Sequence, residues 1–151
     1  MTLRRYWEKR NFDKTPEPRG RSLQKSGNRF VIQEHWASHH HFDFRLEMDG
    51  VLKSWAVPKG LPEKIETKRL AVQTEDHPVS YIDFEGEIPP GCYGAGTVKI
   101  FDKGRYELLE RKKDRILFEL DGEKNKGRYL LLKMKGKKDL WLIMKIKKDE
   151  K

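Results

Sequence analysis

The sequence predicts a mainly β protein, an antiparallel barrel or sandwich, on three observations. Short runs alternate polar and apolar residues with period two, Gly and Pro turns interrupt them at short spacing, and no stretch sustains a long helical period. Residues 1–28 stand apart. They are polar, contain Pro16, Pro18, Gly20 and Gly27, and read as a basic extended arm with a short helical turn near Tyr6 to Arg10. Strands are expected over Arg29 to His35 and His41 to Met48. Asp49-Gly50 then signals a two-residue hairpin turn into Val51 to Val57, which Pro58-Lys59-Gly60-Leu61-Pro62 ends. Arg69 to Thr74 and Tyr81 to Phe84 read as strands on either side of Glu75-Asp76-His77-Pro78. After a glycine-rich stretch, Thr97 to Phe101 is expected to turn at Asp102-Lys103-Gly104 into Arg105 to Leu109. Arg115 to Leu120, Tyr129 to Met134 and Leu140 to Lys147 complete the series.

The 151 residues suffice for one domain that buries a core without disulfides, and the single cysteine, Cys92, excludes an internal one. No apolar run reaches membrane-spanning length and the N-terminus has no secretory apolar region, so a cytoplasmic protein with no membrane partner is expected. The net charge of +9 is uneven. Residues 1–28 carry eight Lys/Arg against three Asp/Glu, residues 29–110 ten against fourteen, and residues 111–151 fifteen against seven. An acidic middle between basic flanks suits a cation-binding centre inside a polyanion-binding surround.

The segment His41-Phe42-Asp43-Phe44-Arg45-Leu46-Glu47-Met48 alternates without a fault. In a strand, His41, Asp43, Arg45 and Glu47 share one face and Phe42, Phe44, Leu46 and Met48 the other. A turn at Asp49-Gly50 places Phe44 opposite Trp55, Phe42 opposite Val57, and the small Ser54 and Ala56 opposite Arg45 and Asp43, leaving room for a ligand. Gln33 and His35 join the same cavity if the preceding strand pairs alongside. His35, His41 and Asp43 form a facial set for a divalent transition metal, with His39 a rival ligand, and the Arg45 guanidinium beside them suits an anion. Metal plus guanidinium is what phosphoryl chemistry needs. His77, Lys59 and Arg69 are further candidates. The Gly91 to Gly96 stretch precedes a strand rather than a helix, which excludes a dinucleotide or P-loop reading. Trp7 and Trp36 could stack on bases, whereas Trp55 and Trp141 alternate with core residues. Two other readings use the same residues: a non-catalytic nucleic-acid-binding module with a structural metal site, and a non-haem iron oxygenase.

These residues closely resemble the 3′-phosphoesterase domain of bacterial and archaeal DNA ligase D. The resemblance runs through Phe30-Val31-Ile32-Gln33-Glu34-His35, His41-Phe42-Asp43-Phe44-Arg45-Leu46-Glu47, Asp49-Gly50-Val51-Leu52-Lys53-Ser54-Trp55-Ala56-Val57-Pro58-Lys59-Gly60, Glu75-Asp76-His77-Pro78 and Tyr93-Gly94-x-Gly96-Thr97-Val98. It implies a compact antiparallel β-barrel with short helices, residues 29–151, served by the N-terminal arm, residues 1–28. It implies a manganese-dependent enzyme (Co2+ or Zn2+ being other possible ions) that acts on primer–template 3′ ends of DNA, including ends with a terminal ribonucleotide. Such an enzyme removes a terminal ribonucleoside and then the 3′-phosphate, leaving a 3′-OH for end joining, and a separate DNA ligase or polymerase is a candidate partner. His35, His41 and Asp43 match the metal ligands. Gln33, Arg45, Lys59, Arg69 and His77 match positions around the scissile phosphate, Arg10 and Glu17 the catalytic residues of the arm, and Tyr81 a tyrosine near the substrate. Two residues depart from the family pattern: Asn11 stands where an aspartate is expected and His40 where leucine is common. The chain ends at Lys151 without room for ligase or polymerase domains, so both a stand-alone enzyme and an excised domain fit.

Overall fold

The computed structural model describes residues 3–20 and 27–148, so parts of the expected arm and the last three residues of the basic C-terminal segment lie outside the described residues. One sheet runs in the order β1 (Arg29–Trp36), β2 (His40–Met48), β3 (Val51–Val57), β4 (Lys68–Gln73), β9 (Leu140–Ile146), β8 (Lys126–Lys133), β7 (Arg115–Gly122), β6 (Gly96–Lys112) and β5 (Gly86–Ile88). Antiparallel pairing of β1 with β6 closes eight of these strands into a barrel, which removes the open sheet edges. No helix among the described residues is long and apolar enough to cross a membrane.

The hairpin register follows the expected turn. Asp49 and Gly50 both have positive φ, 58° and 80°, the conformation that a two-residue turn imposes and that Asp-Gly tolerates. Phe44 therefore faces Trp55, Phe42 Val57, Arg45 Ser54 and Asp43 Ala56. The inward faces of β1 and β2 supply Phe30, Ile32, Phe44 and Leu46 to the barrel core, where Phe118 stacks between Phe44 and Tyr129 at ring separations of 5.7 and 6.1 Å. Trp55 and Trp141 are both buried in that core, as their apolar neighbours imply.

The outward faces of the same strands are covered too. Helix α1 (Arg4–Glu8) and a 3₁₀ turn (Val79–Asp83) lay Leu3, Tyr6, Tyr81 and Ile82 onto Val31, Leu52 and Val98, making a second apolar cluster outside the barrel. The arm is thus docked over its described part, with the Tyr6 hydroxyl donating to the Pro18 carbonyl. This layer explains why β2 is buried on both faces from Asp43 to Met48.

Three expectations are corrected. Tyr81 to Phe84 is not a strand, because the chain after Pro78 closes into the 3₁₀ turn, with the Phe84 N–H donating to the Tyr81 carbonyl at 3.0 Å. Asp102-Lys103-Gly104 does not reverse the chain. β6 runs through it for 17 residues, pairing with β1 as far as Arg105 and with β7 from Gly104 onward, and a bulge opposite Ile32/Gln33 shifts its register with β1. The eighth strand begins at Lys126 rather than Tyr129, because Gly127 extends at a φ of 119° open to glycine.

Phe118 is fully buried between two aromatic rings, so Phe118→Ala is expected to lower unfolding free energy by ~3–5 kcal/mol, read from urea denaturation midpoints.

Candidate active site

Pairing of β1 with β2 brings His35 opposite His41 and Gln33 opposite Asp43. The side chains of His35, His41 and Asp43 point out of the barrel into a cavity of about 290 Å³, roofed by the arm, the loop before the 3₁₀ turn, and the Tyr93-Gly94 loop. His35 Nδ1 lies 3.3 Å from one Asp43 oxygen and His41 Nε2 lies 3.1 Å from the other. One ligand atom from each residue fits within 4.8 Å of the rest, and among the described residues no other His, Cys, Asp or Glu group of three or more converges so.

The other ring nitrogens are committed. His35 Nε2 is 2.8 Å from the Gly94 carbonyl and His41 Nδ1 2.9 Å from the His39 carbonyl. A carbonyl only accepts, so each of those nitrogens carries a proton, and the opposite ring nitrogen, facing Asp43, is the one that donates to the carboxylate here and would give its lone pair to an ion on losing that proton, the outer-shell arrangement that orients imidazole ligands. Burial alone would raise the Asp43 carboxyl. The hydrogen bonds from His35 and His41, with the Arg45 charge, override this and hold it far below the usual carboxylate range. Two imidazoles and one ionised carboxylate on one side of an open cavity suit a divalent metal with positions left for water and substrate. His39 is not in the set, since it contributes its carbonyl. His40 faces away, its ring bound to Glu34 at 2.8 Å.

Arg45 sits next to the triad, held on every side. Its Nε donates to Gln33 Oε1 at 2.7 Å, one terminal nitrogen is 3.2 Å from His77 Nδ1 and the other 3.6 Å from Asp43, and its plane lies 4.8 Å from the Tyr81 ring centre. Gln33 does not line the cavity. It is fully buried behind Arg45, donating to the Tyr81 and Phe84 carbonyls at 2.9 and 3.1 Å, and so ties the guanidinium to the 3₁₀ turn. Arg10 reaches in from the arm to Glu17 at 3.0 Å, Glu75 at 3.1 Å and His77 Nε2 at 3.4 Å. Tyr81 donates its hydroxyl to Glu17 at 2.6 Å.

His77 is enclosed by these groups. Burial pushes it well below the usual histidine range, and the charges of Arg45 and Arg10 push it further. Its Nδ1 is 2.9 Å from the Glu75 carbonyl, which places the proton there and leaves Nε2 as an acceptor toward Arg10 and the cavity. His77 is therefore neutral in the folded protein, with its Nε2 unprotonated.

Eight of the eleven residues named from sequence line this cavity: Arg10, Glu17, His35, His41, Asp43, Arg45, His77 and Tyr81. Lys59 and Arg69 lie elsewhere, at the open end of the barrel, where Arg69 donates to the Lys59 carbonyl at 2.7 Å. Sequence reasoning missed Glu75, the buried carboxylate that binds both Lys9 and Arg10, although its place two residues before His77 was a signal. It also missed Tyr93, whose ring lies 4.7 Å from Lys9 Nζ and 5.2 Å from the Arg10 guanidinium. The Gly94 carbonyl on His35 left no signal, because it depends on a backbone path.

Comparison with known proteins agrees with this geometry. The family model described as DNA ligase D 3′-phosphoesterase domain matches residues 33–133. The multifunctional non-homologous end joining protein LigD of Pseudomonas aeruginosa is 48% identical over 158 aligned residues, covering 98% of this chain and 19% of that protein. The corresponding LigD proteins of Mycobacterium tuberculosis and Mycolicibacterium smegmatis are 47% and 48% identical, with 99% of this chain covered and 20% and 21% of theirs. The chain thus spans about a fifth of the length of these relatives. With the family model matching well over half of the chain and this level of identity along its whole length, the chain belongs to the DNA ligase D 3′-phosphoesterase domain family.

Proposed function

We propose that this chain is a manganese-dependent hydrolase of DNA 3′ ends, which cleaves a terminal ribonucleoside from a primer–template and then removes the 3′-phosphate that remains. The observation that carries this reading is a three-ligand metal set opening onto two buried guanidiniums and a neutral imidazole in one cavity. A structural metal site would call for four protein ligands and would give Arg45 and Arg10 no task. An oxygenase would have no use for two cations beside its metal.

His35, His41 and Asp43 would hold the ion, which when bound supplies Lewis-acid polarisation of a phosphoryl oxygen and lowers the pKa of a bound water. Arg45 would receive a non-bridging phosphate oxygen through its planar fork, pre-oriented by Gln33 and so spared the cost of ordering. Arg10, anchored by Glu17 and Glu75, would bind a second oxygen from the opposite wall. His77 Nε2 would accept a proton or hydrogen bond from the attacking water or the ribose hydroxyl. Tyr81 and Glu17 would set the position of Arg10 and so tie the arm, residues 1–28, to catalysis by the barrel, residues 29–151. Lys59 and Arg69 would contact the DNA away from the triad. The basic termini would hold duplex phosphates, which fits a DNA repair protein working in the cytoplasm beside a ligase or polymerase.

Arg45→Lys keeps the charge but loses the fork and the Gln33 bond. It is expected to lower kcat for phosphate release from a 3′-phosphate primer–template in manganese by about 10²–10³-fold. A loss below about threefold would remove Arg45 from the reaction. His41→Ala is expected to abolish release at every manganese concentration, with folding intact by circular dichroism.

The neutral state of His77 has a consequence for stability. The unfolded chain takes up a proton at this histidine below about pH 6.5, whereas the folded chain resists it, so stability is full above that pH and is lost as pH falls. His77→Gln should flatten the decline in urea midpoint between about pH 7 and about pH 5, and an unchanged slope would contradict a neutral buried His77.

A further inference from the structure

The open end of the barrel holds a second cavity, of about 450 Å³, that the triad does not use. Its floor is the end of the barrel core, Ile32, Phe42 and Tyr129. Phe101 closes one side, placed there by the bulge in β6, the kind of irregularity that re-aims a side chain. Four cations, Lys59, Arg69, Lys124 and Lys145, surround it against one carboxylate, Glu63. The size is that of a site for one small ligand.

Three features set this cavity apart from a solvated basic surface. The aromatic rings form a continuous ladder: Trp36 stacks on His40 at 5.5 Å, His40 meets Phe42 at 5.3 Å, and Phe42 meets Phe101 at 5.2 Å. Lys124 Nζ caps the last ring at 4.1 Å from its centre. Trp36, at the outer end, is 42% exposed. Next, Asn125 lines the cavity, is only 7% exposed, and its Oδ1 is buried with no hydrogen-bond partner. Finally, the loop that carries Lys124 and Asn125 is fixed in advance. The buried Asp102 carboxylate accepts the backbone N–H groups of Glu123, Lys124 and Asn125 at 2.8, 3.2 and 2.7 Å.

Cations for phosphate, ring faces and edges for a base, and a buried acceptor for a base N–H are together the chemistry of an unpaired nucleotide. The ladder starts where the triad ends. His35 and His41 leave β1 and β2 on the outer face, and their neighbours Trp36 and His40 leave the same strand tips on the barrel-mouth side. We propose that the barrel mouth is a second nucleic-acid site, which takes an unpaired nucleotide of the single-stranded overhang opposite the 3′ end held at the triad. Its phosphate lies among Lys59, Arg69, Lys124 and Lys145, its base lies against Phe42 and Phe101, and a base amine donates to Asn125 Oδ1. His40, a departure from the family pattern, is a rung of this ladder and not a metal ligand. The proposal rests on the reading of the chain as a DNA-end enzyme.

The test is fluorescence anisotropy with the full chain in chelator, so that binding is read without hydrolysis. One duplex is blunt; the other carries a short single-stranded extension opposite its 3′ end. The wild type is expected to bind the extended duplex about tenfold more tightly. Phe101→Ala is expected to lose that advantage while binding the blunt duplex as before, and Trp36→Ala to lose part of it. Equal wild-type affinity for the two duplexes, or a Phe101→Ala variant that keeps the full advantage or is weakened equally on both, overturns the proposal. Competition with a deoxynucleoside monophosphate separates the sources: displacement of the extended duplex at micromolar concentration would assign the cavity to a free nucleotide and also overturn it. Phosphate release is measured separately. An overhang preference without any hydrolysis would sustain this site and sink the enzymatic reading; hydrolysis without the preference would do the reverse.

Discussion

The register between β1 and β2 is the constraint on which both the core and the site depend. Two strands of period two carry Phe30, Ile32, Phe44 and Leu46 inward and Gln33, His35, His41, Asp43 and Arg45 outward. A slip of one residue would expel the aromatic core and bury the ligands in its place. The Asp49-Gly50 turn fixes one end of this arrangement through its positive φ values, and the closure of β1 onto β6 fixes the other. The candidate metal ligands therefore need no separate scaffold: hydrophobic burial on one face positions polar chemistry on the other.

Burying that chemistry demands that charges be matched. Arg10 and Arg45 stand against Glu17, Asp43 and Glu75 with almost no exposure, an arrangement that holds only when each charge is paired and hydrogen-bonded. Burial would raise Glu75, and the Lys9 and Arg10 charges bring it below the usual range instead. Burial also lifts the Tyr81 hydroxyl well above its ordinary value, so it stays a donor to Glu17 at any working pH, despite the opposing Arg45 charge. The guanidiniums are thus rigid before any substrate arrives, the condition under which oriented charge is most effective.

Much of this was legible in the residues. The unbroken alternation of His41 to Met48 gave the faces, Asp49-Gly50 gave the register, and together they placed Ala56 and Ser54 as the small partners of Asp43 and Arg45. Local patterns said less about the second layer. Leu3 and Tyr6 lie in a segment too polar to show a period, yet they pack against the outside of the barrel through contacts distant in sequence. The same reason hides the Gly94 carbonyl on His35 and the bond from Lys9 to Glu75. Asp102-Lys103-Gly104 has turn composition, but Gly104 serves close backbone approach: a Cβ there would sit 2.2 Å from the Asp121 carbonyl oxygen. Lys59 and Arg69 carried the charge of a phosphate site without any local sign that they face the barrel mouth.

The most direct test of the account is manganese binding to the metal-free protein, followed by electron paramagnetic resonance, with and without a 3′-phosphate DNA end. The account predicts one ion per chain, a signal altered by the DNA end, and loss of this binding in His41→Ala. An ion bound as tightly by His41→Ala, or a signal indifferent to the DNA end, would contradict an open metal site built on His35, His41 and Asp43.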